Sequence, residues 1–516
     1  MKKLFVLSVI ILFQVLPSIA QQNQVAEFII EKAKTDNQTM HHLDVLTNRI
    51  GGRLVGSYGY ETATYWVANL LKTWGLEVEV QEVGELPVGF DRGPWFGKML
   101  DNDGMDLHFV TPSYTSGTKG VQRGHVVAEP KTQNQFNQMK GKLKGAWVLI
   151  TGTNNGWPID SSERGDSYRH DILSRNEITQ RYNDSIIRIN RANPFNTPQP
   201  LKNLEDAPAL FYKEMREAGI LGIIQSSTVP INALYDRFNI RTMDFYTNLP
   251  DCPDIKLDEK QYKIISQKVA ERQYFLLEFD IRNHFRPGPV KYHNVIGTIR
   301  GSEFPHEYVM SGGHLDAFDV ATGAVDCGTG VAPNLEAARL LSLADAKPRR
   351  SIVFCFWAAE EFGLLGSRYW VERNKEKWPF ISNYFNRDAG PLIANSITVP
   401  PAMYDDFKKA TELFNTIHPD FPFSLRERIG DPPDRPKTIG NSDHAYFALN
   451  GIPTIQFNTA DPKGYDFNYQ EIWHSERDMY NMSIPDYMDY TSIVTAIILY
   501  NLANTDKILS REGLYK

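Results

Sequence analysis

The chain has 516 residues, 42% of them hydrophobic, 12% aromatic and 23% charged. That balance excludes wholesale disorder, a fibrous repeat and a single small module, because about 100–200 residues make one domain. With 55 Lys and Arg against 62 Asp and Glu, the net charge of −7 offers no basic surface for wrapping nucleic acid or coating an anionic membrane. The three cysteines, Cys252, Cys327 and Cys355, cannot build a disulfide framework and leave at least one thiol free. Chemistry has to be sought in motifs.

Residues 1–20 read as a cleavable export signal. Lys2 and Lys3 precede an apolar run over 4–16, and Ser18-Ile19-Ala20 supplies small residues for cleavage. The run is short of the about 20 apolar residues that span a bilayer, and no later stretch is long enough either. The expected mature chain is exported, secreted or periplasmic, with no membrane insertion. Next, Ala63, Trp66, Val67, Leu70, Leu71 and Trp74 recur at helical steps, and Gly75 ends the run. A Gly-rich turn over 51–57 precedes this helix and an alternating strand over 76–83 follows it. Between 106 and 270, short strands at 125–128, 146–150 and 220–224 alternate with polar loops. A helix end is expected at 215–219, and the polar stretch 154–206 reads as a long surface excursion. Compact apolar strands then appear at 308–313, 351–357 and 454–457, with helices from Val331 and near Thr491. Strands alternating with helices predict an α/β domain with a mixed, largely covered central sheet and helices on both faces. Residues 23–105 and 271–516 would form it, interrupted by a β-rich insertion over 106–270.

Polar residues collect where those strands should end. The 308–313 strand runs into His314-Leu315-Asp316, and in an extended segment His314 and Asp316 point the same way, so the carboxylate can orient the imidazole. Asp326 sits in a Gly-rich loop before a helix. The 351–357 strand ends in Ala358-Ala359-Glu360-Glu361, and two adjacent acids after a buried strand call for a cation beside them. Asp388 follows a further apolar stretch, and His474 lies in a polar loop with Asp478 four residues on. In open α/β sheets the functional crevice lies outside the carboxyl ends of the strands. Imidazoles and carboxylates without a thiolate cluster suit zinc, manganese or cobalt in a reactive site better than a structural zinc.

These motifs, together with Ser442-Asp443-His444 and Arg53-Leu54-Val55-Gly56-Ser57, resemble the co-catalytic dizinc exopeptidase family that includes aminopeptidases S and Y and carboxypeptidase Q. The last is nearest in look. The resemblance covers 286–516 and 23–105, and the 106–270 insertion is similar in position and character to a protease-associated domain. It implies two zinc ions, with His314 and Asp388 on one, Glu361 and His474 on the other, and Asp326 bridging them. It also implies Glu360 as general base, Asp316 as orienter of His314, and a cis peptide after Asp326. Asp443 and His444 are candidate substrate contacts. Cys327 and Met479 depart from the family pattern without removing a ligand.

Two nearby ions can share and acidify a water, while Glu360, kept off the metals, moves its proton to the leaving amine. The expected activity is hydrolysis of short peptides or dipeptides, as an aminopeptidase or a carboxypeptidase Q-like dipeptidase; a homodimer stays open. Two alternatives share the scaffold: a single-zinc glutaminyl cyclase-type acyltransferase and a non-catalytic binding ectodomain. Cys355 reads as a core residue and Cys327 as a thiol whose reactivity is open. His41, His42, His170 and His418 read as surface histidines.

Overall fold

The computed structural model describes residues 23–101, 104–236, 239–242, 247 and 249–516. The expected export signal, 1–20, lies outside the described residues. The fold is mixed α/β, and the chain divides into two compact units: one from residues up to 85, 291–473 and 477–516, the other from 86–290 with 474–476.

In the first unit, α1 (Tyr58–Thr73) starts where the Ser57 hydroxyl accepts the Tyr60 N–H at 3.1 Å, satisfying one of the helix's orphan donors. Ala63, Val67 and Leu71, three of the positions that predicted this helix, are fully buried. Each large aliphatic side chain so removed from water contributes roughly 1.5–3 kcal/mol. Five strands follow: β1 (Glu77–Asp91), β2 (His284–Ile299), β3 (Phe304–His314), β4 (Arg350–Trp357) and β5 (Ile381–Asn386). They lie in the order β1-β2-β4-β3-β5. All residues of β4 are buried, as expected of a strand covered on both faces. Two further helices, α2 (Thr329–Leu343) and α3 (Pro485–Ala503), pack on one another and against β3 and β4. Both are buried nearly all round, the mark of a core helix. A second core of Met310, Val353, Trp357, Trp370, Tyr384 and Phe447 brings in the helices Leu365–Arg373 and His444–Leu449.

The topology fixes where the chemistry can be. β3 runs parallel to both β4 and β5, with His314 opposite Trp357 and Gly312 opposite Asn386. All three strands therefore finish at one edge, where His314, Glu360, Glu361 and Asp388 emerge. The expected strand over 454–457 is displaced: Phe457–Ala460 pairs in a separate sheet with Ile393–Val399. Ile455 instead runs beside β5, where the Asn383 side chain donates to its carbonyl at 2.9 Å and accepts its N–H at 2.7 Å.

The second unit is built on an eight-stranded mixed sheet. Gln122–Ala128, Ala146–Thr153, Gly222–Ser227 and Asp254–Asp258 run parallel at its centre over a core that includes Trp147, Ile224, Leu257 and Phe279. The expected surface excursion over 154–206 is instead dominated by a 30-residue helix, Glu163–Ala192. Three asparagines seven positions apart bind the returning chain. Asn176 donates to the Glu205 carbonyl and accepts its N–H, both at 2.8 Å. Asn183 does the same to Lys202 at 2.8 and 2.9 Å, and Asn190 to Gln199 at 3.0 and 2.8 Å. Two helical turns rise about 10.5 Å, which three residues span only when nearly extended. No helix among the described residues is long and apolar enough to cross a membrane.

Candidate metal centre

His314, the last residue of β3, is 1% exposed. Its Nδ1 lies 2.8 Å from the Asp316 carbonyl oxygen, which can only accept, so Nδ1 carries the proton and donates. Nε2 lies 3.0 Å from Asp326 Oδ1 and 3.7 Å from Asp388 Oδ1. A buried imidazole nitrogen facing two carboxylate oxygens is an arrangement that a cation would hold together in place of a proton. Burial works against charge on His314, but Cys327, Glu360, Asp326 and Asp388 outweigh it and raise its pKa well above the ordinary value.

Asp316 differs from expectation in the part it uses. Its main-chain carbonyl orients His314, while its carboxylate is 3.8 Å from the ring. That carboxylate accepts the N–H groups of Glu360 and Glu361, each at 3.1 Å, and so anchors the turn bearing the paired acids. Burial pushes Asp316 up to about 7. The turn is sharp: Ala359 takes φ of 56°, left-handed for a residue with a side chain, and Gly363 and Leu364 donate back to the Glu360 carbonyl at 2.8 and 2.9 Å. Burial also pushes Glu360 well above the usual carboxylate range; His314 opposes this, and Glu361, Asp388 and Asp443 add to it.

Asp326 precedes a cis peptide to Cys327, and its loop is tied down by Asp478, whose Oδ1 accepts the Val325 N–H at 2.6 Å. Asp388 follows β5 and accepts from Ser442 Oγ at 2.6 Å; that hydroxyl accepts in turn from Asn386 Nδ2 at 2.8 Å. Ligand atoms within 4.8 Å of one another are offered by His314, Cys327 and Asp388, by His314, Glu360 and Glu361, and by Asp326, Glu361 and His474. All five expected ligands and Glu360 thus fall into overlapping groups. Nitrogen and oxygen donors around one shared imidazole and one shared glutamate fit divalent transition ions. Asp443 is fully buried and pushed up to about 7 by that burial, with the charges of His314 and Asp388 acting on it. His444, half-buried at the start of its helix, has its pKa lowered by burial. Neither belongs to a ligand group.

Two residues escaped sequence reasoning. Tyr469 is raised well above the usual phenol by burial and then by the charges of Asp326, Asp388 and Glu361. It sits five positions before His474 in a polar loop, and no periodicity marks it. Arg53 belonged to a quoted motif, but nothing local revealed what it binds. Cys327 is buried, donates to the Arg387 carbonyl at 3.1 Å and is pushed up to about 12 by burial, so it stays a thiol. Cys355 is a core residue, as expected. His42 is not on the surface: it is 4% exposed, with Nε2 3.2 Å from Glu336 Oε2, a carboxylate that also accepts from Arg339 Nε at 2.9 Å.

Parallel strand ends carrying buried imidazole and carboxylate define an α/β protein with a candidate metal centre. Residues 294–497 match the model of Peptidase family M28. Carboxypeptidase Q of Mus musculus is 22% identical over 501 residues, covering 96% of this chain and 92% of that protein. Among solved structures, a Peptidase M28 precursor from Shewanella amazonensis aligns with a TM-score of 0.56 at 18% identity, over 96% of this chain and 99% of its own. BSAP, a zinc aminopeptidase from Bacillus subtilis, aligns with a TM-score of 0.50 at 17% identity, over 94% and 98%. At these identities the two structures speak for the fold.

Proposed function

We propose that this protein is an exported exopeptidase that holds two zinc ions in the strand-end cleft and hydrolyses short peptides or dipeptides. What carries the reading is the convergence of buried His314 Nε2 on the Asp326 and Asp388 carboxylates, 3.0 and 3.7 Å away, at the strand ends. His314 and Asp388 would hold one ion, Glu361 and His474 the other, and Asp326 both. Bound there, zinc supplies Lewis acidity, polarising the scissile carbonyl and acidifying a water. Glu360 takes a proton from the attacking water and returns it to the leaving amine, so water and amide become acid and amine. Asp316 keeps Glu360 in place through the main chain. The likeness to carboxypeptidase Q along nearly the whole chain favours dipeptides and short peptides as substrates. In the same reading residues 1–20 direct export, and 106–270 are a protease-associated-type insertion.

The test is to measure bound metal, then assay wild type and Glu360→Gln on free dipeptides, amino-terminal amides and amino-blocked peptides. Glu360→Gln should retain metal and lose at least ~10²-fold in kcat. Full activity in the variant removes the base assignment; a wild type that binds no metal removes the whole reading.

A further inference from the structure

Arg53 is fully buried, and its donors go to main-chain carbonyls. Nε donates to Leu315 at 2.9 Å, Nη1 to Thr322 at 2.7 Å and Gly51 at 3.2 Å, and Nη2 to Gly323 at 2.8 Å. Leu315 separates His314 from Asp316, and Thr322 and Gly323 open the turn that ends at Asp326. Gly323 has φ of 62°, and a methyl group there would collide with Ala317 and press on Arg53 Nη2. Asp478 grips the same turn differently. Its carboxylate accepts the Val325 N–H at 2.6 Å and the Asp326 N–H at 3.3 Å, and its carbonyl accepts the Thr322 N–H at 3.1 Å. One residue thus collects the carbonyls of the two loops and the other collects the amides of one.

We propose that Arg53 and Asp478 are positioning residues that fix the separation between the His314 imidazole and the Asp326 carboxylate before any cation arrives. A planar guanidinium presents five donors in a rigid fork and can span two loops at once, whereas an ammonium is a single point. Neither residue is a ligand; each acts on the ions through the backbone of the residues that are. The inference rests on the two-zinc reading above.

Zinc affinity of the full chain, read by chelator competition, tests it in Arg53→Lys, Asp478→Asn and Val494→Ala. The last is a core substitution in α3 that serves as a control for general loss of stability, with the melting temperature of each metal-free protein measured alongside. Arg53→Lys and Asp478→Asn should weaken zinc by about 10–100-fold and lower kcat with little change in KM, while Val494→Ala binds zinc like wild type. Unchanged affinity in both variants overturns the proposal, and so does equal weakening in Val494→Ala. If Arg53→Lys does not fold, the nearly isosteric Asp478→Asn decides. A wild type that takes up no zinc overturns the two-zinc reading itself and this inference with it, a result distinct from the others.

Discussion

Two sets of buried charges, one in each unit, are built on opposite terms. In the second unit the Lys256 ammonium, fully buried, lies 2.7 Å from Asp254 Oδ1 and 2.7 Å from Gln225 Oε1, while Asp254 Oδ2 accepts the Ile159 N–H at 2.8 Å. One cation meets one anion, and a neutral group bonds each of them. At the strand ends of the first unit, the carboxylates of Asp326, Glu360, Glu361 and Asp388 crowd one shared imidazole, and burial pushes Glu360 away from its charged form. The first arrangement pairs opposite charges within the chain; the second gathers several carboxylates around one imidazole. Counting charges and partners within a buried cluster therefore separates a structural network from a functional one, where burial alone does not.

The contrast is broken most severely by removing metal. Chelation should take peptide hydrolysis to background and zinc should restore it; hydrolysis that survives thorough chelation would place the chemistry elsewhere. Next in size is Lys256→Met, which leaves Asp254 buried without its counter-charge and should lower unfolding free energy by about 3–5 kcal/mol. Denaturant titration reads this, and a loss under 1 kcal/mol would mean that the pair is not the closed network described. Metal content per folded chain should not change in that variant. Smaller again is Asn183→Ala, which takes partners from the Lys202 N–H and carbonyl and should cost about 1–3 kcal/mol in the same titration.

The smallest effect is pH-dependent and involves His42. Burial lowers its pKa from 6.5, against the pull of Glu336. The unfolded chain therefore takes up a proton more readily than the folded one as pH falls below about 6.5. The stability contributed by neutral His42 is present above that value and is lost as pH falls through it. Melting temperature should drop less between pH 7 and 5 in His42→Gln than in wild type; parallel curves would show that His42 does not titrate in this window.

How much the sequence revealed follows from which bonds each element uses. Helix α1 was legible because Ala63, Val67 and Leu71 repeat at helical steps and bury apolar surface. The convergence of the candidate site residues was legible because parallel strands finish at one edge, and His314, Glu360, Glu361 and Asp388 each follow an apolar run. Glu163–Ala192 was not, since its buried positions include Arg169, Asn176 and Asn183, and its fixed partners are main-chain groups of a segment that is neither helix nor strand. The strand expected over 454–457 failed similarly: the Asn383 amide takes bonds that a ladder would have made. His42 escaped because its partner, Glu336, stands 294 positions away. Side-chain amides and distant ion partners leave no period to read.

The asparagine rungs along Glu163–Ala192 behave as a gauge that matches two rulers of different pitch, seven residues on the helix to three on the returning strap. Chain length between Asn193 and Pro198 can drift without disturbing any rung, because that bend lies beyond the last of them. A single residue added or removed between Lys202 and Glu205 would shift one mark off its tooth and force the strap to choose which rungs to keep. Insertions and deletions should accordingly be accepted at the bend and rejected a few residues later.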